Sequence, residues 1–261
     1  MADKLKNNGF SLTEVLMAAG ILCIGIMLVA TMFPVGIYLT TVASERTMAA
    51  IVADQAFAKI QFYGIKDPFH SPNICYDYFS IYNFMGVPVG KIAQDEILYP
   101  SVDPALNIRQ YSWSVLCKKL NSDLTDNSYL ITVFVSRKTS PNLKYAQNAL
   151  FDPDNTVDWP MLIVADVHRG TINNELAIDW GAEEYVNPPP STIIIDNASG
   201  RIYRVVGRKD NVFQLDRDWD SDTAEPSKIW FLPSPAIVSG GKLQAHGNNP
   251  DVEVFQRIIR F

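Results

Sequence analysis

Few residues in this chain have the type and spacing to do chemistry, and most of those stand alone. Asp216, Asp218, Asp220 and Asp222 alternate within one segment and could offer oxygens to calcium, a hard ion that takes roughly six to eight of them. Counted as an EF-hand loop from Asp216, the sixth position is Ser221 rather than glycine and the twelfth is Ser227 rather than glutamate. A solvated acidic turn accounts for the same run, and no metal site is assigned. Arg201, Arg204, Arg208 and Lys209 surround Tyr203, a composition suited to single-stranded nucleic acid. The chain as a whole is acidic, with 22 Lys and Arg against 28 Asp and Glu and a net charge of −6, so a salt-bridged strand face is the better reading and no nucleic acid is assigned. Trp180, Trp219 and Trp230 read as core residues rather than adhesive surface aromatics. His70, His168 and His246 are far apart, with no partner one helical turn away. There is no glycine-rich phosphate loop, glycine-framed serine or metal-ligand spacing, so the sequence points to no enzyme and no cofactor. What remains is Glu14, an isolated acid where a long apolar run begins. Ser11-x-x-Glu14 fits a capping box, in which each side chain satisfies an orphan backbone N–H, so a local cap is one explanation for that acid and an assembly role is another.

The element that must position Glu14 is a helix. From Val15 no charged side chain appears until Glu45. As a helix that run would be on the order of 45 Å long, where a bilayer core needs about 30 Å. Lys4 and Lys6 precede it, and no basic excess follows close behind, which places the N-terminus in the cytoplasm and the bulk of the chain on the exported side of the membrane. A cleaved secretory signal fits poorly, because its apolar stretch is shorter and its small-residue cleavage site comes after that stretch. Cys23, Cys75 and Cys117 match no zinc or redox motif. Cys23 lies in the apolar helix as a small hydrophobe. Cys75 and Cys117 fall in the exported part, where a disulfide and two separately buried thiols are both open.

Gly9, the aromatic Phe10 and Glu14 four residues on, leading into this helix, resemble the N-terminal signature of type IV pilins and type II secretion pseudopilins; the likeness covers residues 4 to about 40. It implies that a prepilin peptidase cuts between Gly9 and Phe10 and methylates Phe10. Loss of the leader, which carries Lys4 and Lys6 against Asp3, would lower the net charge by one. The resemblance also implies that the subunit is stored in the membrane lipid, and that Glu14 meets the free amine of Phe10 on a neighbouring subunit as the filament grows. Its partners would be other pilin-like subunits, an inner-membrane assembly platform and an assembly ATPase. Large size and additional β-structure favour a minor subunit over the shaft protein. A DNA-uptake or adhesive minor pilin is a variant within the family, and the rival outside it is a single-pass anchored exported enzyme or receptor.

The rest of the chain predicts an α+β fold: a long N-terminal membrane-spanning helix packed on an antiparallel sheet, with a C-terminal all-β module. Residues 1–9 are the leader and 10–64 the helix, its membrane part at about 15–39. Gly20, Gly25, Pro34 and Gly36 predict a kink or loosening near 30–36. Ala49, Val52, Ala53, Ala56, Ile60 and Tyr63 recur every three or four residues, so this stretch has left the membrane and packs on a domain, and Gly64 is its stop. Residues 65–187 are read as a pilin-like α+β domain, with strands over 110–118 and 128–137, where apolar residues alternate with Ser112, Ser114, Thr132 and Ser136. Further strand-like runs are 161–167, 192–196, 201–206, 212–216, 228–232 and 252–260. A turn is expected at 197–200, and the triple proline 188–190 marks the start of a β-rich module at 188–261.

Overall fold

The computed structural model describes residues 11–65, 74–77, 94–100, 110–121, 123, 126–138, 140, 143–146, 156–178, 188–220, 226–239, 242–245 and 249–261. The chain falls into two compact units, one up to Thr47 and one from Met48 to Phe261. Helix α1 spans Leu12–Tyr63. It is rich in strong helix formers, and it stops at Gly64, whose φ of 75° allows the left-handed closing residue while its N–H reaches the Ile60 carbonyl at 2.9 Å. Near 30–36, where a kink or loosening is expected, the helix continues through Pro34 without a break. Proline removes a single backbone donor, and the turns around it are braced by threonine hydroxyls that donate to main-chain carbonyls, Thr31 to Leu28 and Thr40 to Gly36, both at 2.8 Å.

Beyond the helix the described chain is mostly strands, with one 3-10 turn at Gln94–Ile97. In order they are β1 (Cys75–Asp77), β2 (Leu98–Tyr99), β3 (Tyr111–Lys119), β4 (Ser128–Arg137), β5 (Tyr145–Ala146), β6 (Thr156–Val157), β7 (Ile163–Arg169) and β8 (Glu175–Ile178). There follow β9 (Ile193–Asp196), β10 (Ile202–Lys209), β11 (Val212–Leu215), β12 (Ser227–Phe231), β13 (Ala236–Ser239), β14 (Lys242–Ala245) and β15 (Asp251–Arg260). The predicted strands are all present, and β3 and β4 pair antiparallel from Tyr111 opposite Arg137 to Lys119 opposite Tyr129.

These two strands centre an antiparallel sheet ordered β1-β3-β4-β15, with β2 also paired to β3. Strand parity sends Trp113, Val115, Cys117, Ile131, Val133 and Val135 to one face, where they meet Ala49, Val52, Ala53, Ala56, Phe57 and Ile60 of α1 in a single core. The alanines let helix and sheet approach closely, while a fully buried side chain such as Ile60 contributes about 1.5 to 3 kcal/mol. Arg257 on β15 lies over the Phe57 ring at 4.5 Å and holds Asp54 at 3.2 Å.

The opposite face, which the alternation of Ser112, Ser114, Thr132 and Ser136 would suggest is wet, is buried. Ser112 and Ser136 pair through their hydroxyls at 2.7 Å, Ser114 donates to the Pro160 carbonyl at 3.3 Å, and Gln256 donates to Thr132 at 2.9 Å. Such bonds offset the cost of burying hydroxyls. Cys75, Leu116 and Phe134 on this face pack with Leu162, Ile193, Ile195 and Leu232. Those partners lie in or beside a closed barrel ordered β10-β11-β8-β7-β12-β9. Within β9, Ile194 enters the barrel core while Ile193 and Ile195 join the sheet, so an unbroken run of isoleucines serves two cores at once.

This architecture corrects the expected boundary at residue 188. The barrel runs from Ile163 to Phe231 and is inserted between β4 and β15, so the last strand returns to the first sheet rather than completing a C-terminal module. The triple proline lies within the barrel's span, in the connection leading into β9. The predicted turn at 197–200 is present and seats the barrel on the sheet: Cys75 N–H donates to the Asn197 carbonyl at 3.0 Å, Lys118 to the Ala198 carbonyl, and Gln256 to the Gly200 carbonyl at 2.9 Å. Gly200 has a φ of 74°, a conformation that calls for glycine, and a Cβ there would also press on the Leu130 side chain at 3.1 Å.

The open question of a Cys75–Cys117 disulfide is resolved against it, since both thiols are free and buried. Cys75 sits opposite Lys118 while Cys117 sits opposite Tyr76, so on adjacent strands the two side chains point to opposite faces, Cys117 toward the helix and Cys75 toward the barrel. Burial pushes the Cys75 thiol up to about 12, which keeps it unreactive.

Where the chain passes from barrel to sheet, Asp251 accepts the Ile193 N–H at 3.2 Å through Oδ2, while its Oδ1 is sealed from solvent without a partner. Burial pushes its carboxyl up to about 7, against the opposing pull of the Ile193 N–H, Asn249 and Arg204. The folded chain therefore holds this proton more tightly than the unfolded one. The stability it contributes is full below about pH 4 and is lost as pH rises through about 7, a change of about 2 to 3 kcal/mol between pH 5 and pH 8. Urea unfolding of Asp251→Asn, which mimics the protonated acid, is expected to lack this decline.

Candidate functional site

The first turn of α1 presents Glu14. Ser11 precedes the helix, and its carbonyl accepts the N–H of Glu14 at 3.0 Å and of Val15 at 3.2 Å. The reciprocal capping box does not form. The Ser11 hydroxyl pairs instead with the nearer Thr13 hydroxyl at 2.7 Å, and the exposed Glu14 carboxylate has no partner among the described residues. Gly9 and Phe10, the expected processing pair and Phe10 the expected partner of Glu14 across subunits, lie outside the described residues.

Behind Glu14 the helix is apolar on every side. Leu12, Met17, Ile21, Met27, Met32 and Tyr38 are all more than 65 % exposed, and large apolar side chains continue to Leu39. A helix with no polar face is stable only when lipid or other protein surrounds it. This is the chain's one helix, among the described residues, long and apolar enough to cross a membrane. Cys23 is exposed on it, as part of the same surface.

The other candidates resolve into structure. Arg217 holds Asp216 at 3.0 Å, Arg201 pairs with Asp220, and the Arg204 N–H donates to Asp216 at 3.0 Å. One ion pair, Arg201 with Asp220, therefore links the basic strand to the acidic run, Arg217 offsets Asp216 within that run, and Asp222 lies outside the described residues. Among the described residues no three His, Cys, Asp or Glu side chains gather as a metal set. Tyr203 and Trp219, 1 % and 3 % exposed, pack in the barrel core with ring centroids 4.7 Å apart and planes tilted by 41°, which leaves neither ring face open for a base to stack on. Trp230 is half-buried, its indole N–H donating to Asn197 at 2.8 Å. His168 lies on β7, while His70, Trp180 and His246 lie outside the described residues.

Sequence reasoning missed the convergence of Arg169, Arg201 and Arg217 on one cleft of the barrel, because they come from three separate segments. It also missed Asp251, which reads as an ordinary turn residue before a strand. No protein-family model, curated protein or solved structure matches this chain.

Proposed function

We propose that this chain is a prepilin-like structural subunit, a minor pilin or pseudopilin, stored in the inner membrane and drawn into a type IV pilus or type II secretion filament through its N-terminal helix. The observation that carries the reading is an apolar helix surface, exposed on all sides, with one acid at its tip that makes no local cap. An unpaired acid dragged toward the bilayer centre costs about 2.5 to 3.5 kcal/mol. The amine of a neighbour's processed N-terminus at Phe10 would remove that cost and set the register between subunits.

The union of the later half of α1 with an antiparallel sheet supports the same reading, and the inserted barrel supports a minor subunit over a shaft protein by its added bulk. Processing by a prepilin peptidase and assembly on an inner-membrane platform by an ATPase follow from the proposal. Intact mass of the membrane-extracted protein is expected to fit a chain that begins at methylated Phe10, and Gly9→Val is expected to retain the leader. An intact Met1 in cells with active peptidase would replace this reading with a single-pass anchored protein that enters no filament.

A further inference from the structure

Asp251 opens β15, and its register sends it to the rear face of the sheet, the face that meets the barrel. It lies opposite Ser136 on β4, whose hydroxyl is buried on that face, and its Oδ2 accepts the N–H of Ile193 on β9 at 3.2 Å. Its Oδ1 is sealed from solvent without a partner. Ile193 is paired in turn with Arg204 on β10. Antiparallel partners share a face. The neighbouring pair, Ile194 with Tyr203, enters the barrel core, so Ile193 and Arg204 both emerge on the outside of the barrel, toward the sheet. Arg204 acts on the Asp251 carboxyl through its charge, yet its side chain is exposed and makes no ion pair among the described residues.

The other charged groups nearby face away. Arg137 follows Ser136 and so lies on the helix side of β4, and the bulge between Asp251 and Glu253 sets Glu253 opposite Val135, on that same side. Asp196 closes the far end of β9, where it accepts the N–H groups of Ala198 and Ser199. Asp216, which accepts the Arg204 N–H, is held by Arg217.

We infer that Asp251 and Arg204 form a proton-operated clasp between barrel and sheet, open while the carboxyl keeps its proton and closed, with the guanidinium on Oδ1, once that proton is lost. A neutral carboxyl bears one unpaired oxygen at modest cost, whereas a carboxylate out of water needs a charge or donors to offset its desolvation. The Ile193 N–H serves Oδ2 alone. Arg204 can serve Oδ1, since its side chain is long, always charged and starts from solvent. Burial holds the Asp251 proton up to about 7, so the clasp works near neutral pH. Its closure ties β10 to β15 by side chains, within the unit from Met48 to Phe261, and does not depend on filament assembly.

Nuclear magnetic resonance titration of the full-length chain in neutral detergent tests this, with the carboxyl carbons of aspartate and the guanidinium carbons of arginine labelled and the two signals assigned by their loss in Asp251→Asn and Arg204→Gln. The Arg204 signal is expected to shift with the same midpoint as Asp251, and to stay flat across that range in Asp251→Asn. Arg204→Gln is expected to raise the Asp251 midpoint by about one pH unit, as for loss of a nearby opposite charge. Arg204→Lys, which keeps the charge, is expected to restore most of that shift, and Arg208→Gln, farther along β10, to leave the midpoint where it is. An Asp251 midpoint near the ordinary value of about 4, an Arg204 signal flat through the wild-type titration, or an unchanged midpoint in Arg204→Gln would overturn the inference.

Discussion

Glu14→Gln is expected to insert in the membrane and fold as the wild type does, while crosslinking between its N-terminal helix and those of neighbouring subunits falls by a factor of about one hundred or more. The amide keeps the polarity and nearly the shape of the acid, so a residue acting only within its own first turn would lose little. Glu14 makes no bond to its own helix start among the described residues, since Ser11 engages Thr13, so no capping bond accounts for an acid at this position. In the proposed assembly the same change strands the Phe10 amine of the adjacent subunit in an apolar surround. Removing one partner of a buried pair costs about 3 to 5 kcal/mol, and even the lower figure exceeds a hundredfold in association. Cysteines introduced on the apolar helix and co-expressed with wild type give the readout, and membrane fractionation serves as the insertion control. Undiminished crosslinking would take the inter-subunit role from Glu14.

Phe134→Ala is expected to lower the stability of the unit from Met48 to Phe261 by about 3 to 5 kcal/mol, the range for emptying an aromatic side chain from a packed core. Phe134 is fully buried at the centre of the sheet's rear face, opposite Ser114 on β3 and Val254 on β15, and it packs in the cluster that joins sheet to barrel. The loss should therefore weaken both elements together, seen in urea as one transition at a lower midpoint by tryptophan fluorescence and far-ultraviolet dichroism alike. Val206→Ala, at a position 54 % exposed on β10, is expected to change stability by no more than about 0.5 kcal/mol. Two separated transitions in the Phe134 variant, with the barrel unaffected, would show that the rear-face cluster does not couple them.

By itself the sequence determined the elements whose signals are local. The unbroken apolar run specified a helix able to cross a membrane, the three-four spacing from Ala49 to Ile60 specified the face that packs, and Gly64 specified where it stops. Alternation in β3 and β4 likewise specified the strands and the side that meets the helix. Only the tertiary structure decided what lies against the other side. A period of two distinguishes the faces of a strand but does not say whether the polar face meets water or a second layer, and Ser112 and Ser136 met the second layer by bonding to each other. Barrel closure depends on β7 finding β12, and the sheet's completion on β4 finding β15, pairings between segments far apart in the chain. The triple proline marks a break in local structure, yet it falls within the span of the barrel, because these distant pairings and not the local break decide which strands join. Cys75 and Cys117 show the same limit: their spacing leaves a bridge open, and strand register, set by partners rather than by neighbours in sequence, turns them to opposite faces of the sheet.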